Sequence, residues 1–351
     1  MDKCKNNISN NKIYSFYHSS IKMYDQSCIK NSIIIKILLV IIFYNITKNK
    51  IKNKETNIIT NKQYNEENKN AIEKTNVKED NIYLDKYETH IYNKIKRKLE
   101  INKCCQMWSN QREFLNGIIR KFKPKKILEI GVAEGGGSSI ILNAIQDIEN
   151  SHLYSIDLCD DINIGKCVKN IFPKFLNKWT LFTGNVAAEY MEQIGNNIDM
   201  IFIDSAHYEP GEILDFLIVL PFLKEGAIVG FHDIANQITQ SMDSRNEWAS
   251  YIIFNIIRGK SYFPSGNMRL KHDIGIKILD INQNKYIHDY FRALGGQWQY
   301  FPKEKHIELI YKYFEKYYDK DCLIMFNETV DFNRNFVKKH PMNQIYQYNS
   351  D

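Results

Sequence analysis

The chain has 351 residues, 44% hydrophobic and 25% charged, which excludes a wholly disordered or collagen-like protein and fits one large domain with additions, or two domains. Its seven cysteines are too sparse for a disulfide scaffold. The formal net charge of +6 is unevenly spread: residues 1–104 carry 20 Lys+Arg against 11 Asp+Glu, net +9, and residues 105–351 carry 27 against 30, net −3. The regularly patterned part of the chain therefore offers no broad phosphate-binding surface, and no nucleic-acid partner is expected.

Residues 1–80 are dominated by Asn, Lys and Ile, contain neither Gly nor Pro, and follow no helix or strand period, as in a poorly structured segment. Ile33–Ile46 stands out as an apolar run of 14 residues broken by Lys36 and Asn45. A spanning helix needs ~20 apolar residues, so the run reads either as a short membrane-associated helix or as a buried or interfacial stretch. Lys48, Lys50, Lys52 and Lys54 follow it; an inserted run would leave the rest of the chain on the cytoplasmic side. A cytoplasmic location is the expectation, with a cytoplasmic catalytic domain on a membrane anchor as the alternative. Reduced thiols are expected there.

Residues 81–104 read as a charged amphipathic helix. A helix over Glu113–Phe122 follows, with Phe114, Leu115, Ile118 and Ile119 on one face, stopped by Pro124. Short β-branched runs then alternate with helical patterns. Strands are expected at Ile127–Ile130, Leu153–Asp157, Trp179–Thr183, Met200–Asp204 and Ala227–His232. Helices are expected at Ser138–Gln146, Lys166–Leu176, Ala187–Ile194 and Glu212–Leu223. Near-continuous apolar strands alternating with helices predict an α/β, Rossmann-like doubly wound sheet, mainly parallel and covered on both faces. Gly275–Leu279 is expected as a late strand pairing near Ser261–Pro264 at an antiparallel edge. The expected organisation is an N-terminal segment 1–104, a ligand-binding α/β domain 105–282 and an aromatic-rich helical extension 283–351. In that extension Tyr311, Tyr313, Phe314, Tyr317 and Tyr318 crowd one helical stretch, as core, a contact in a homo-oligomer or a cover over the substrate.

Four motifs fall at expected strand ends, where ligands of open α/β sheets bind. After Ile130 comes a turn with Gly at 131, 135, 136 and 137, running into a helix near Ser138. Free N–H groups at that helix start, with no Cβ in the way, can lie against a ligand. The dinucleotide spacing Gly-x-Gly-x-x-Gly fails, because Ala133 stands at its second Gly. The second motif is Asp157, an acid at the second strand end suited to accept from two ribose hydroxyls. The third is Gly184-Asn185, where the Asn185 carbonyl oxygen can accept from an adenine amine. The fourth joins Asp204 and His207 after the fourth strand to His232 and Asp233 after the fifth. Two carboxylates with imidazoles on neighbouring tips suit a divalent cation, Mg²⁺ or, with a His ligand, Mn²⁺. Strand alternation predicts that His232 faces away from Asp233.

Glu129-x-Gly131-x-x-x-Gly135 resembles motif I of class I S-adenosylmethionine-dependent methyltransferases. Asp204-x-x-His207-Tyr208, then Leu220-Pro221 through Gly226, then Phe231-His232-Asp233 resemble the macrocin-type sugar O-methyltransferases of methyltransferase family 24, over residues 111–280. The sequence departs at Ala227, where the family has a second Gly, and at Asn185, where it commonly has Asp. Ile234 also replaces the Asn that catechol-type O-methyltransferases carry. The resemblance implies S-adenosylmethionine on Glu129, Gly131, Gly135, Gly137, Ser138, Asp157, Asn185 and Asp204. It also implies a metal at Asp204 and Asp233, with His207 and Asp204 as catalytic residues acting on a hydroxyl of a sugar, glycan or other small molecule. Met107, Trp108 and Gln111 would form a lid near the cofactor. A cephalosporin-hydroxylase-like enzyme of the same fold and a non-catalytic nucleoside-binding protein stay open as alternatives.

Overall fold

The structure of the protein, a computed structural model, describes residues 84–235, 247–265 and 273–339. The chain divides into Met1–Asp80 and Asn81–Asp351, and all described residues lie in the second unit. The apolar run 33–46 therefore lies outside the described residues. Among those described, no helix is long and apolar enough to cross a membrane.

Among the described residues seven strands form one sheet: β1 Lys126–Ile130, β2 His152–Asp157, β3 Trp179–Thr183, β4 Ile198–Ile203, β5 Leu223–His232, β6 Gly259–Tyr262 and β7 Ile274–Leu279. Their spatial order is β3-β2-β1-β4-β5-β7-β6. The first five run parallel, while β7 pairs antiparallel with both β5 and β6. This is the class I methyltransferase arrangement, with the expected antiparallel edge. The order reverses at β1, whose neighbours are β2 and β4, so their carboxyl ends open a crevice. Met200, Ile201, Phe202 and Ile203 of β4 have no exposed surface, as befits a strand covered on both faces.

One face carries α1 (Thr89–Ile101), α2 (Ser109–Phe122), α3 (Gly136–Ala144) and α4 (Lys166–Ile171). The period of α1 buries Ile91, Tyr92, Ile95 and Leu99, and the Asn143 amide of α3 donates to Ile91 O at 2.9 Å. The opposite face carries α5 (Met191–Ile194), α6 (Gly211–Val219), α7 (Ala249–Ile256), α8 (Ile287–Ala293), α9 (Glu304–Tyr317) and α10 (Lys320–Lys339). The expected helix 212–223 is shorter than its pattern. α6 ends at Val219, Leu220–Phe222 form a 3₁₀ turn, and Leu223 already opens β5. Pro221 lacks the N–H that a continued helix would use. Pro173 likewise separates α4 from the 3₁₀ turn Pro173–Lys178.

The aromatic stretch of α9 is core. Phe314 is fully buried against Phe291, with ring centroids 5.3 Å apart. The Tyr313 hydroxyl donates to Ile218 O at 2.6 Å and the Tyr318 hydroxyl to Leu217 O, both near the end of α6. At the other end of α6, Glu209 N donates to Gln299 Oε1 and Gln299 N to Glu209 O, each at 2.9 Å.

Candidate active site

Hydrogen bonds that continue the ladders past the strand ends lock three tips together. Gly131 N donates to Ile156 O and Asp204 N to Ile130 O, each at 2.9 Å. Gly131 sits at φ +87°, and a Cβ there would lie 1.9 Å from Asp204 O. The turn after β1 passes so close to the β4 tip that only glycine fits. The Asp157 carboxylate points back into this turn. Its Oδ2 accepts from Val132 N and Ala133 N, and its Oδ1 from Cys159 N, all at 2.9 Å. The glycine turn and the acid of the second strand thus form one continuous feature. Asn185 follows the adjoining β3 tip, where Gly184 N donates to Asp157 O at 3.1 Å; its own Oδ1 accepts from Val186 N at 2.9 Å. The rest of the turn is gripped from outside. Gly165 N donates to Ala133 O and Cys167 N to Glu134 O, each at 2.8 Å.

Glu129 lies beneath the turn and is 1% exposed. Its Oε2 accepts from Ser138 Oγ at 2.6 Å and Ser155 Oγ at 2.7 Å, while its Oε1 faces Gly137. Burial pushes its pKa up from 4.5 to about 8, against the opposing pull of the two hydroxyl donors. Between those two values the unfolded chain releases a proton that the native protein keeps. Native stability is therefore lost as pH rises from about 4.5 to about 8, by at most ~1.4 kcal/mol per pH unit. Glu129→Gln keeps the shape and an acceptor oxygen but removes this titration. Its melting temperature is expected to gain on the native protein's as pH rises from 5 to 8. A constant difference across thermal melts over that range would contradict this.

Beyond the tips of β4 and β5 the four acid and imidazole side chains meet. His232 Nδ1 lies 3.0 Å from Asp233 Oδ2 and 3.4 Å from Asp204 Oδ1. His207 Nε2 lies 2.9 Å from Asp233 Oδ2 and 4.0 Å from Asp204 Oδ1. His232 therefore faces the site, contrary to the alternation argument. The reason is local: β5 ends at His232, and Asp233 takes a left-handed conformation at φ 55°, so the two side chains turn to the same side. Burial alone would lower both histidine pKa values. The carboxylates beside them, Glu212 and Asp233 for His207 and Asp204 and Asp233 for His232, outweigh it and hold both well above the usual range. Asp233, though buried, is held far below the usual carboxylate range, by His232 first and then His207. Asp273, behind it, accepts from Ala235 N at 3.0 Å; burial and the Asp233 charge push it up to about 6.

Ligand atoms of Asp204, His232 and Asp233 all lie within 4.8 Å of one another, a set of oxygens and one imidazole nitrogen that fits Mg²⁺ or Mn²⁺. The segment before α2 leans over this region. Met107 is buried beside Gly137, and Trp108 is exposed. Gln111 is fully buried; its Oε1 accepts from Trp108 N at 2.6 Å and lies 3.3 Å from His232 Nε2.

Two features escaped the sequence reading. Glu212, in the first turn of α6, is fully buried and reaches His207 Nδ1 at 3.1 Å. Its place five residues after His207, at the head of the expected helix Glu212–Leu223, was the one signal. Cys104 and Cys167 form a disulfide with Cα atoms 6.1 Å apart, where free thiols were expected. A separation of 63 residues gives no pairing signal, and only the packing of α4 against the turn after α1 brings the two together.

Residues 128–234 match the family Methyltransf_24, described as a methyltransferase domain. No curated protein matches the chain. Among solved structures, a putative caffeoyl-CoA O-methyltransferase from Staphylococcus aureus is similar at 22% identity, over 53% of this chain and 91% of that one, with a TM-score of 0.42. An O-methyltransferase from Bacillus cereus, solved in complex with SAH, is similar at 12% identity over 60% and 96%, with a TM-score of 0.41. The O-methyltransferase TomG from Streptomyces achromogenes, solved with SAM, is similar at 15% identity over 60% and 94%, with a TM-score of 0.39.

Proposed function

We propose that the protein, whose residues 128–234 match a methyltransferase-domain family, transfers the sulfonium methyl group of S-adenosylmethionine to a hydroxyl oxygen of a sugar or other small molecule. The observation that carries this reading is the meeting of the glycine turn with the Asp157 carboxylate, through Val132 N and Ala133 N. A ribose on this feature would meet a carboxylate already oriented by three backbone donors, with one lone pair of Oδ1 left to accept from a hydroxyl. The buried Glu129, with Oε1 turned toward Gly137, supplies a carboxyl group for a cationic amino-acid end; such a cation would draw the raised pKa back down and favour the carboxylate. Glu129, Gly131, Gly135, Gly137, Ser138, Asp157 and Asn185 are the proposed cofactor residues, with Asp204 at their edge.

When bound, S-adenosylmethionine supplies the electrophilic methyl. The chain's own part is to aim an acceptor oxygen along the line of that methyl, which is mostly positioning. Asp204 and Asp233 form the floor for the acceptor, and His207, within hydrogen-bond reach of this floor, is the proposed proton acceptor in its neutral form, which a cation held at the floor would favour by offsetting the carboxylates that raise its pKa. A divalent ion held by Asp204, His232 and Asp233 would lower the pKa of an adjacent hydroxyl.

Titration calorimetry with S-adenosylmethionine tests the reading. The wild-type chain is expected to bind, and Asp157→Asn to weaken binding at least tenfold. A hydrogen bond to a charged group contributes ~1.5–3 kcal/mol, and ~1.4 kcal/mol is already tenfold. The amide keeps one oxygen for Val132 N and Ala133 N and gives up only the bond from the exposed Cys159 N, so the melting temperature should fall only slightly. No heat with the wild-type chain, or equal affinity in the variant, would overturn the assignment.

A further inference from the structure

We infer that Glu212 is the positioning residue of His207: by accepting the Nδ1 proton from below, it fixes the ring so that Nε2 faces the Asp204 and Asp233 carboxylates. The inference rests on the methyl-transfer reading for its purpose, but on geometry for its content. Glu212 has no exposed surface. Its Oε1 accepts from His207 Nδ1 at 3.1 Å and Ser205 N at 3.2 Å, while Oε2 accepts from Ser250 Oγ. The backbone of His207 is fixed as well, because Ala249 N of α7 donates to His207 O at 3.0 Å. Gly211 lets α6 begin against this loop; a Cβ there would lie 2.1 Å from Ala206 O. The imidazole is thus held at Nδ1 by a fully buried carboxylate, which leaves Nε2 directed at Asp233, 2.9 Å away on the side of the acid–histidine cluster. A ring free to turn about its Cβ–Cγ bond would present carbon atoms there half the time. A carboxylate at Nδ1 removes that freedom and keeps a proton on Nδ1, as carboxylates do for working histidines elsewhere, so that the proton the ring gives up or takes is the one on Nε2.

A purely structural role is the competing account, since Glu212 also ties Ser250 of α7 to α6. Two variants separate the roles. Ser250→Ala removes only the tie, whereas Glu212→Gln keeps an oxygen for Nδ1 and removes the charge. The readout is the Nδ1 proton of His207 in long-range ¹H–¹⁵N spectra of the full chain labelled with ¹⁵N-histidine, assigned by its loss in His207→Gln. In the wild-type chain this proton is expected to be protected from exchange and shifted downfield by the carboxylate. Ser250→Ala should leave it in place, Glu212→Gln should keep it but move it upfield, and Glu212→Leu should lose it to exchange. Should Glu212→Leu fail to fold, the upfield move in Glu212→Gln decides alone. An Nδ1 signal unmoved in Glu212→Gln, or moved as far by Ser250→Ala, would overturn the inference. The measurement needs neither cofactor nor acceptor. Its failure would leave methyl transfer standing, and a wild-type chain that binds no S-adenosylmethionine would sink methyl transfer while this signal stood.

Discussion

Gly131→Ala is expected to destabilise the protein by at least ~4 kcal/mol, or to prevent its soluble expression. The added Cβ would sit 1.9 Å from Asp204 O, 2.6 Å from Asp204 C and 2.9 Å from Ser205 Cα. These are backbone atoms of the neighbouring strand end, so no side chain can swing aside. The tips of β1 and β4 would have to part, breaking the Asp204 N to Ile130 O bond. Costs of that size belong to the exceptional class of single substitutions, and the left-handed backbone at φ +87° adds ~1 kcal/mol. Gly226→Ala is the matched control. That residue also has positive φ, at +69°, but nothing lies within 4 Å of its Cβ position, so about 1 kcal/mol is expected. Urea midpoints compare the two. Similar midpoints would mean that the tips are not locked together as described.

Asp204→Asn is expected to leave S-adenosylmethionine affinity within about twofold while cutting methyl transfer by about 10²–10³-fold, the range for losing one preorganised group beside the reacting atoms. The substitution keeps the shape of a side chain whose Oδ1 faces His232 Nδ1 at 3.4 Å, and removes its charge. The remaining carboxylate, Asp233, is already engaged by both imidazoles. The measurement is transfer of labelled methyl to a panel of hydroxylated small molecules, alongside calorimetry. Turnover near the wild-type level would remove Asp204 from the reaction. Wild-type turnover unchanged by a chelator would remove the divalent ion.

What the sequence reveals here follows the range of the physics. The parallel strands were legible because burial on both faces demands an unbroken apolar run, as at Met200–Ile203. Strand tips were legible because glycine and acid fall where the runs stop, at Gly131, Asp157, Asp204 and Asp233. The orientation of His232 was not, because a single left-handed residue, Asp233, overrides the two-residue alternation. Nor were the tertiary pairings: Glu212 with Ser250, Cys104 with Cys167, and Gln111 beside His232. These depend on how distant segments pack, and no local spacing encodes them.

The tail of the chain grasps α6 at both extremities, through Gln299 before its start and through Tyr313 and Tyr318 at its close. That short helix carries Glu212. Residues 299–318 are thus a splint for a rod whose other face steadies the acid–histidine rim. The glycine turn, by contrast, is braced by the layer that the Cys104–Cys167 link stitches down. The glycine turn and the acid–histidine rim are thus braced from opposite faces of one sheet, by chain segments more than a hundred residues apart.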